Sequence, residues 1–241
     1  MSEATTPKYK RVLLKLSGEA LAAGGKSILD NEFIGNVSRV IKKCHEIGVE
    51  IAIIVGAGNI WRGRQGEKMD RTRADHMGML ATTINALALQ DAFEQIDLET
   101  RVMTPINMHE FAEPYIRNKA ISHLKKGKVV IFGCGLGIPF FSTDTAAVLR
   151  AAEINADVVL LAKNIDGIYS ADPRKDANAI KLDEISYKEM IDQGLAAMDI
   201  TATSFSMDNN IPLLAFGLDD PENIYRAIMG EKIGTTIHGG N

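Results

Sequence analysis

The chain has 241 residues, 46% of them hydrophobic and 24% charged, with a formal net charge of −4. That is enough apolar material for a substantial core in one large or two small domains, and it argues against disorder. It gives no basic excess of the kind that drives general nucleic-acid or membrane-surface binding, so an anionic ligand has to meet positive charge concentrated locally.

Residues 1–7 are polar and carry no apolar signal-peptide core, and no later stretch is long enough to span a bilayer. The expectation is a chain that is neither secreted nor membrane-inserted. Cys44 and Cys134 stand far apart without metal-ligand spacing, which suggests neither a disulfide scaffold nor a zinc site and fits a reducing cytoplasm.

The first apolar, branched run is residues 11–16, a predicted strand, and residues 32–47 follow as an amphipathic helix. Strands are predicted again over 50–55, 100–103, 128–132 and 157–161, with helices over 74–93, 113–124 and 143–154 between them. This alternation predicts an α/β three-layer sandwich, a largely parallel central sheet with helices on both faces. After Leu161 the pattern changes to a turn-rich stretch over 163–173, then helices near Tyr187 and Thr201 and a strand over 212–216. That reads as a second lobe, from about residue 161 to 241 against about 1 to 160. No Pro- or Ser-rich linker, low-complexity tract or repeat separates the two, so residues 1–241 are read as one domain.

Ligands of open α/β sheets sit beyond the carboxyl ends of the strands. Glycines stand at three such ends: Lys15-Leu16-Ser17-Gly18-Glu19, Gly56-Ala57-Gly58-Asn59 and Gly133-Cys134-Gly135-Leu136-Gly137. Glycine admits positive φ and lets backbone N–H groups approach an anion, and a following helix N-terminus adds a favourable dipole. Each loop taken alone reads equally as a tight turn; three that converge suit a polyphosphate. The GxxxxGK[ST] loop is absent, and Asn59-Ile60-Trp61 after Gly56-Ala57-Gly58 does not complete a dinucleotide fingerprint. Nearby cations are Lys15, Arg62, Arg64 and Lys163, the groups that stabilise a phosphoryl group in transfer. Lys15 stands out because it lies among apolar residues at the end of a predicted central strand.

Taken in order, these segments resemble the bacterial uridylate kinase family of the amino-acid-kinase superfamily. The resemblance is carried by the run from Tyr9 through Lys15-Leu16-Ser17-Gly18 to Leu21, by Gly58-Asn59-Ile60-Trp61-Arg62-Gly63, and by Asp75-His76-Met77-Gly78-Met79-Leu80-Ala81-Thr82. It continues in Pro139-Phe140-Phe141-Ser142-Thr143-Asp144-Thr145-Ala146-Ala147, in Asp166-Gly167-Ile168-Tyr169-Ser170-Ala171-Asp172-Pro173, and in the segment from Met229 to Thr236.

The resemblance implies transfer of a phosphoryl group from ATP, with Mg2+, to UMP, giving UDP for pyrimidine nucleotide synthesis in the cytoplasm. Lys15, Leu16, Ser17, Gly18, Gly58 and Arg62 then meet the ATP phosphates, and Tyr169 and Asp172, with Lys163 or Asn164, the adenosine side. The UMP side comprises the Ala57 backbone, Asp75 for ribose hydroxyls, and Leu136, Gly137, Ile138, Pro139, Phe140, Phe141, Ser142 and Thr143. Lys15, Arg62 and Asp144 form the catalytic set. Asp144 orients lysines in the family and, on the residues alone, equally caps the helix that starts near Thr145. Asp199, with the same ambiguity, is left outside the set.

The family also implies a homohexamer, activated by GTP and inhibited by UTP, with no protein-held metal; the charge balance and the lack of a long apolar stretch lead to the expectation of no nucleic-acid or membrane partner. The departures are Ala57, where the family often has glycine and a positive φ would strain alanine, and Leu136 and Ile138, where small or polar residues are common. Residues 22–27 lack the family's usual regulatory-loop pattern. The competing readings are a kinase of carbamate or an acidic amino acid, a non-catalytic nucleotide sensor or storage protein, and a nucleic-acid regulator.

Overall fold

The computed structural model describes residues 6–24, 27–61, 68–173, 175–176 and 178–239. In chain order the elements are β1 (Arg11–Leu16), α1 (Gly18–Leu21), α2 (Asn31–Glu46), β2 (Glu50–Val55), α3 (Arg71–Glu94), β3 (Thr100–Thr104), β4 (Glu113–Pro114) and α4 (Arg117–Lys125). There follow β5 (Val129–Phe132), α5 (Thr143–Ile154), β6 (Val158–Lys163), β7 (Ile168–Tyr169), β8 (Lys181–Leu182), β9 (Glu184–Ser186) and α6 (Tyr187–Asp192). The last are α7 (Ile200–Asp208), β10 (Leu213–Gly217), α8 (Glu222–Met229) and β11 (Thr235–His238).

Nine strands make one sheet in the order β4-β3-β5-β2-β1-β6-β10-β11-β9. The pairs from β4 to β10 are parallel, and β11 turns antiparallel to β10. The short β7 and β8 pair separately. The three-layer α/β arrangement expected from the alternation is therefore present. In β1 the strand period of two sends Val12, Leu14 and Leu16 to one core, shared with α2, α3 and α8, and Leu13 to the other, shared with α4, α5, α6 and α7. Because both faces are covered, β2 and β6 are buried almost throughout and read as unbroken apolar runs.

Two sequence expectations need correction. Residues 113–124 are not one helix: Glu113–Pro114 pairs with Met103–Thr104, and α4 starts only at Arg117. Proline disfavours helical backbone at the residue before it, and Tyr115 instead donates its N–H to the Thr104 carbonyl at 2.8 Å. The strand expected to stop at Leu161 runs on to Lys163, because Ala162 and Lys163 find partners in Phe216 and Gly217 of β10. That extension brings Lys163 out of the turn and onto the sheet.

Candidate active site

The extended β6 decides which charges meet. Val159 and Leu161 share the core of α5 with Leu13, so by strand parity Lys15 and Lys163 project on that same side at the carboxyl ends of adjacent strands. Asp144 in the first turn of α5 stands over them, its Oδ1 2.9 Å from Lys15 Nζ. Lys163 donates to the Ala197 carbonyl oxygen. Burial holds its ammonium below the ordinary lysine value; the Asp144 charge opposes that shift and the Lys15 charge adds to it.

Asp144 does not cap its helix. Ser142 does, its Oγ accepting from the backbone N–H groups of Asp144 at 3.0 Å and Thr145 at 3.1 Å. The same hydroxyl donates to Asp199, which caps α7 by accepting from Ala202 N at 3.0 Å. Asp199 thus ties the N-termini of α5 and α7 together, and Asp144 keeps its carboxylate for Lys15.

The ends of β1 and β2 meet at glycine. A Cβ on Gly18 would lie 2.4 Å from Asn59 Oδ1, 2.7 Å from Gly58 N and 2.8 Å from Gly56 O. Fully buried Asn85 fixes this junction, its Nδ2 donating to Gly56 O at 2.7 Å and Asn59 Oδ1 at 2.8 Å. Ala57 is not among the residues with positive φ; its carbonyl accepts from Ile60 and Trp61 at 2.9 Å, so alanine there carries no left-handed strain. Asn85 escaped the sequence reading because an asparagine inside a helix gives no signal of what it faces.

The third glycine loop is built differently from an open anion cradle. Gly133 donates its N–H to Met103 O, Cys134 to Thr82 Oγ1, and Gly137 to Cys134 O, at 3.0, 2.8 and 2.8 Å. Its glycines serve the turn: Gly137 has φ +74, and a Cβ there would lie 2.8 Å from Pro105 Cγ. Leu136 packs against the second core, while Ile138, Phe140 and Phe141 are exposed beyond it. Pro139 lies between them, partly covered, and Thr143 opens α5. Asp75 lies under this loop, its Oδ2 accepting from Phe140 N at 2.8 Å.

At the carboxyl ends of β1 and β6 a cavity of about 370 Å³ is lined by Lys15, Ser17, Glu19, Lys163, Asn164 and Asp172, with Ala162 and Ile165. Five residues expected on the ATP side therefore share one cleft; Glu19, unremarked in the sequence, joins them. Leu16 is fully buried in the first core. Ser17 also caps α1, its Oγ accepting from Ala20 N at 3.1 Å. Tyr169 is not on the cleft's lining; its hydroxyl donates to Asp166 at 2.8 Å. Arg62 and Arg64 lie outside the described residues.

The amino acid kinase family profile matches residues 10–216. The UMP kinase of Bacillus anthracis superposes with a TM-score of 0.93 at 38% identity, over 97% of each chain. The UMP kinase of Ureaplasma parvum does so with a TM-score of 0.91 at 35% identity, over 96% of this chain and 99% of that one. The uridylate kinase of Archaeoglobus fulgidus is more distant, with a TM-score of 0.73 and 28% identity over 94% and 99%.

Proposed function

This chain belongs to the amino acid kinase family, and from that premise we propose that it is a UMP kinase, moving the γ-phosphoryl group of ATP onto the phosphate of UMP. Bacterial UMP kinases match it nearly end to end at more than a third identity. One observation carries the chemistry: Lys15 and Lys163 project from adjacent strands on one face, with Asp144 bonded to Lys15.

The acceptor phosphate of UMP is already anionic at neutral pH, so no proton has to be removed from the nucleophile. Its oxygen attacks the γ-phosphorus while the bond to the β-bridging oxygen breaks, and ADP leaves. Negative charge on the transferred group is met by Lys15 and Lys163, and Asp144 orients Lys15 rather than acting as a base. An ammonium carries three donors, so Lys163 keeps its bond to Ala197 while it meets a phosphate oxygen. Among the described residues no group of three His, Cys, Asp or Glu side chains is arranged to hold a metal; magnesium would enter with the nucleotide as MgATP and neutralise charge on its phosphates.

The donor nucleotide is assigned to the cleft of Lys15, Ser17, Lys163, Asn164 and Asp172, together with Leu16, Gly18, Gly58 and Tyr169; Arg62, outside the described residues, keeps its proposed part in meeting the phosphates. The acceptor is assigned to Ala57, Asp75 and residues 136–143. The proposal includes the two-lobed use of the chain, a cytoplasmic setting in pyrimidine nucleotide synthesis, control by UTP and GTP, and a homohexamer. Self-association is supported by α3, where Met77, Leu80 and Ile84 are 39%, 53% and 51% exposed at helical spacing. Exposed Arg73 and Asp91 continue that stripe at its two ends, so an antiparallel second copy would set opposite charges together. No described helix is long and apolar enough to cross a membrane.

The test is ADP release against a panel of UMP, CMP, dUMP, carbamate and acidic amino acids. UMP is expected to support the highest kcat/KM; ATP binding without UMP-dependent turnover refutes the proposal.

A further inference from the structure

Arg71, the first residue of α3, was not singled out by any motif. Its Nε lies 2.9 Å from both carboxylate oxygens of Asp75, one helical turn along. Asp75 Oδ2 also accepts from Phe140 N at 2.8 Å, and the guanidinium carbon lies 5.6 Å from the centre of the Phe140 ring. Phe140 holds φ at +72, a conformation uncommon outside glycine. One carboxylate therefore joins the start of α3 to a strained point of the acceptor loop, and one arginine sets the carboxylate's orientation.

We infer that Arg71 is a positioning residue for the acceptor nucleotide, presenting Asp75 to a single ribose hydroxyl and holding the loop at Phe140 in register with it. This rests on the reading of UMP as acceptor. An ionised carboxylate offers roughly four lone-pair sites. The Arg71 contact to both oxygens and the Phe140 N–H take up three of them, and the Asp75 side chain is only 13% exposed. Room is left for about one further hydrogen bond, against the two that a carboxylate spanning vicinal hydroxyls would need. Arg71 itself remains 49% exposed, so its effect runs through the orientation of Asp75 rather than through the core.

A merely structural role predicts little kinetic effect, since an ion pair one helical turn apart whose arginine is half exposed contributes little to stability. The positioning role predicts a KM effect confined to the acceptor. The experiment is steady-state kinetics of the full chain, Arg71→Met and Arg71→Lys, with UMP, 2′-deoxy-UMP and 3′-deoxy-UMP, beside thermal unfolding. In Arg71→Met, KM for UMP is expected to rise about tenfold or more, with kcat and KM for ATP within about twofold and an unchanged unfolding midpoint. Arg71→Lys, which keeps the charge and one donor, is expected to recover part of the loss. The wild type is expected to suffer with one deoxy analogue and tolerate the other.

An unmoved KM for UMP in Arg71→Met, or a parallel loss in kcat and KM for ATP, overturns the positioning role. Equal penalties for both deoxy analogues overturn the single-hydroxyl geometry. A wild type without UMP turnover overturns the functional reading and this inference with it, whereas turnover with an unaffected Arg71→Met overturns the inference alone.

Discussion

Gly18→Ala sets two opposing effects against each other. Gly18 opens α1 and is not among the residues with positive φ, so on propensity alone alanine would favour the helix by up to about 1 kcal/mol. Sterics point the other way. The added Cβ would meet Asn59 Oδ1 at 2.4 Å, Gly58 N at 2.7 Å and Gly56 O at 2.8 Å. The first is a side-chain tip, but it is held by Asn85 at 2.8 Å; the other two are backbone of the neighbouring loop. Restoring ordinary contact separates the ends of β1 and β2 by up to about 1 Å, an overpacking cost of about 1–3 kcal/mol. Lys15, three residues before Gly18, moves with the strand end, and a displacement of about 1 Å at a reacting group costs about 10²-fold in rate. The expected result is a lowered unfolding midpoint and a kcat about 10²-fold down, read by thermal unfolding and coupled ADP release. Full kcat with an unchanged midpoint would refute the close-approach reasoning.

Asp144→Asn removes the partner of Lys15 but leaves the Ser142 cap of α5; kcat is expected to fall about 10²-fold while helix content by circular dichroism stays unchanged, and near-normal kcat would show that Lys15 needs no orienting carboxylate. Lys163 has its pKa lowered below the ordinary 10.5, first by burial. Between the lowered value and 10.5 the unfolded chain binds the proton that the folded chain has lost, so this residue's contribution to stability rises with pH across that window. In the same window activity is expected to fall as the ammonium is lost; Lys163→Arg, whose guanidinium stays charged, should move the alkaline limb of the pH–rate profile upward, and an unmoved limb would remove Lys163 from the chemistry. Leu80→Asp places a charge on the exposed stripe of α3; sedimentation velocity is expected to show a smaller species with monomer secondary structure intact, and an unchanged assembly would place the interface elsewhere. Burial pushes the Cys44 thiol up to about 12, so it is expected to resist Ellman's reagent until the chain is unfolded; reaction at native pH would contradict its burial.

Much of the fold was legible because β1, β2 and β6 are apolar runs buried on both faces and α2 is strongly one-sided, with Ile34, Val37, Ile41 and Cys44 inward. The misreading of 113–124 came from treating an amphipathic pattern as continuous across Pro114, where the backbone pairs with β3 instead. The short β7, β8, β9 and β11 and the helix α8 went unassigned. Two- to four-residue strands carry too few alternations to register as a period, and β11 is defined by its antiparallel partner rather than by its own composition.

Five residues of the cleft at Lys15 and Lys163 were nameable one by one, but their mutual arrangement was not. On the residues alone Asp144 served equally as the cap of α5. Only the fold shows that Ser142 caps and also bonds Asp199, leaving Asp144 for Lys15. Asp75 suggested a ribose reader, while Arg71 beside it carried no signal beyond a spacing of four that any surface ion pair shares.

The sequence by itself determined the alternation of strand and helix, the glycines at three strand ends, and Lys15 as a charge inside an apolar run. Those are local properties, set by side-chain period and backbone freedom within a few residues. The tertiary structure alone decided that β6 extends to Lys163, that Gly18 abuts Gly56 and Gly58, that Asn85 locks that junction, and that Asp144 faces Lys15 across 129 positions of chain. Each depends on which element lies beside which, and hydrogen-bond partners on neighbouring strands and the close approach of two backbones are properties of the assembled sheet that no single segment encodes.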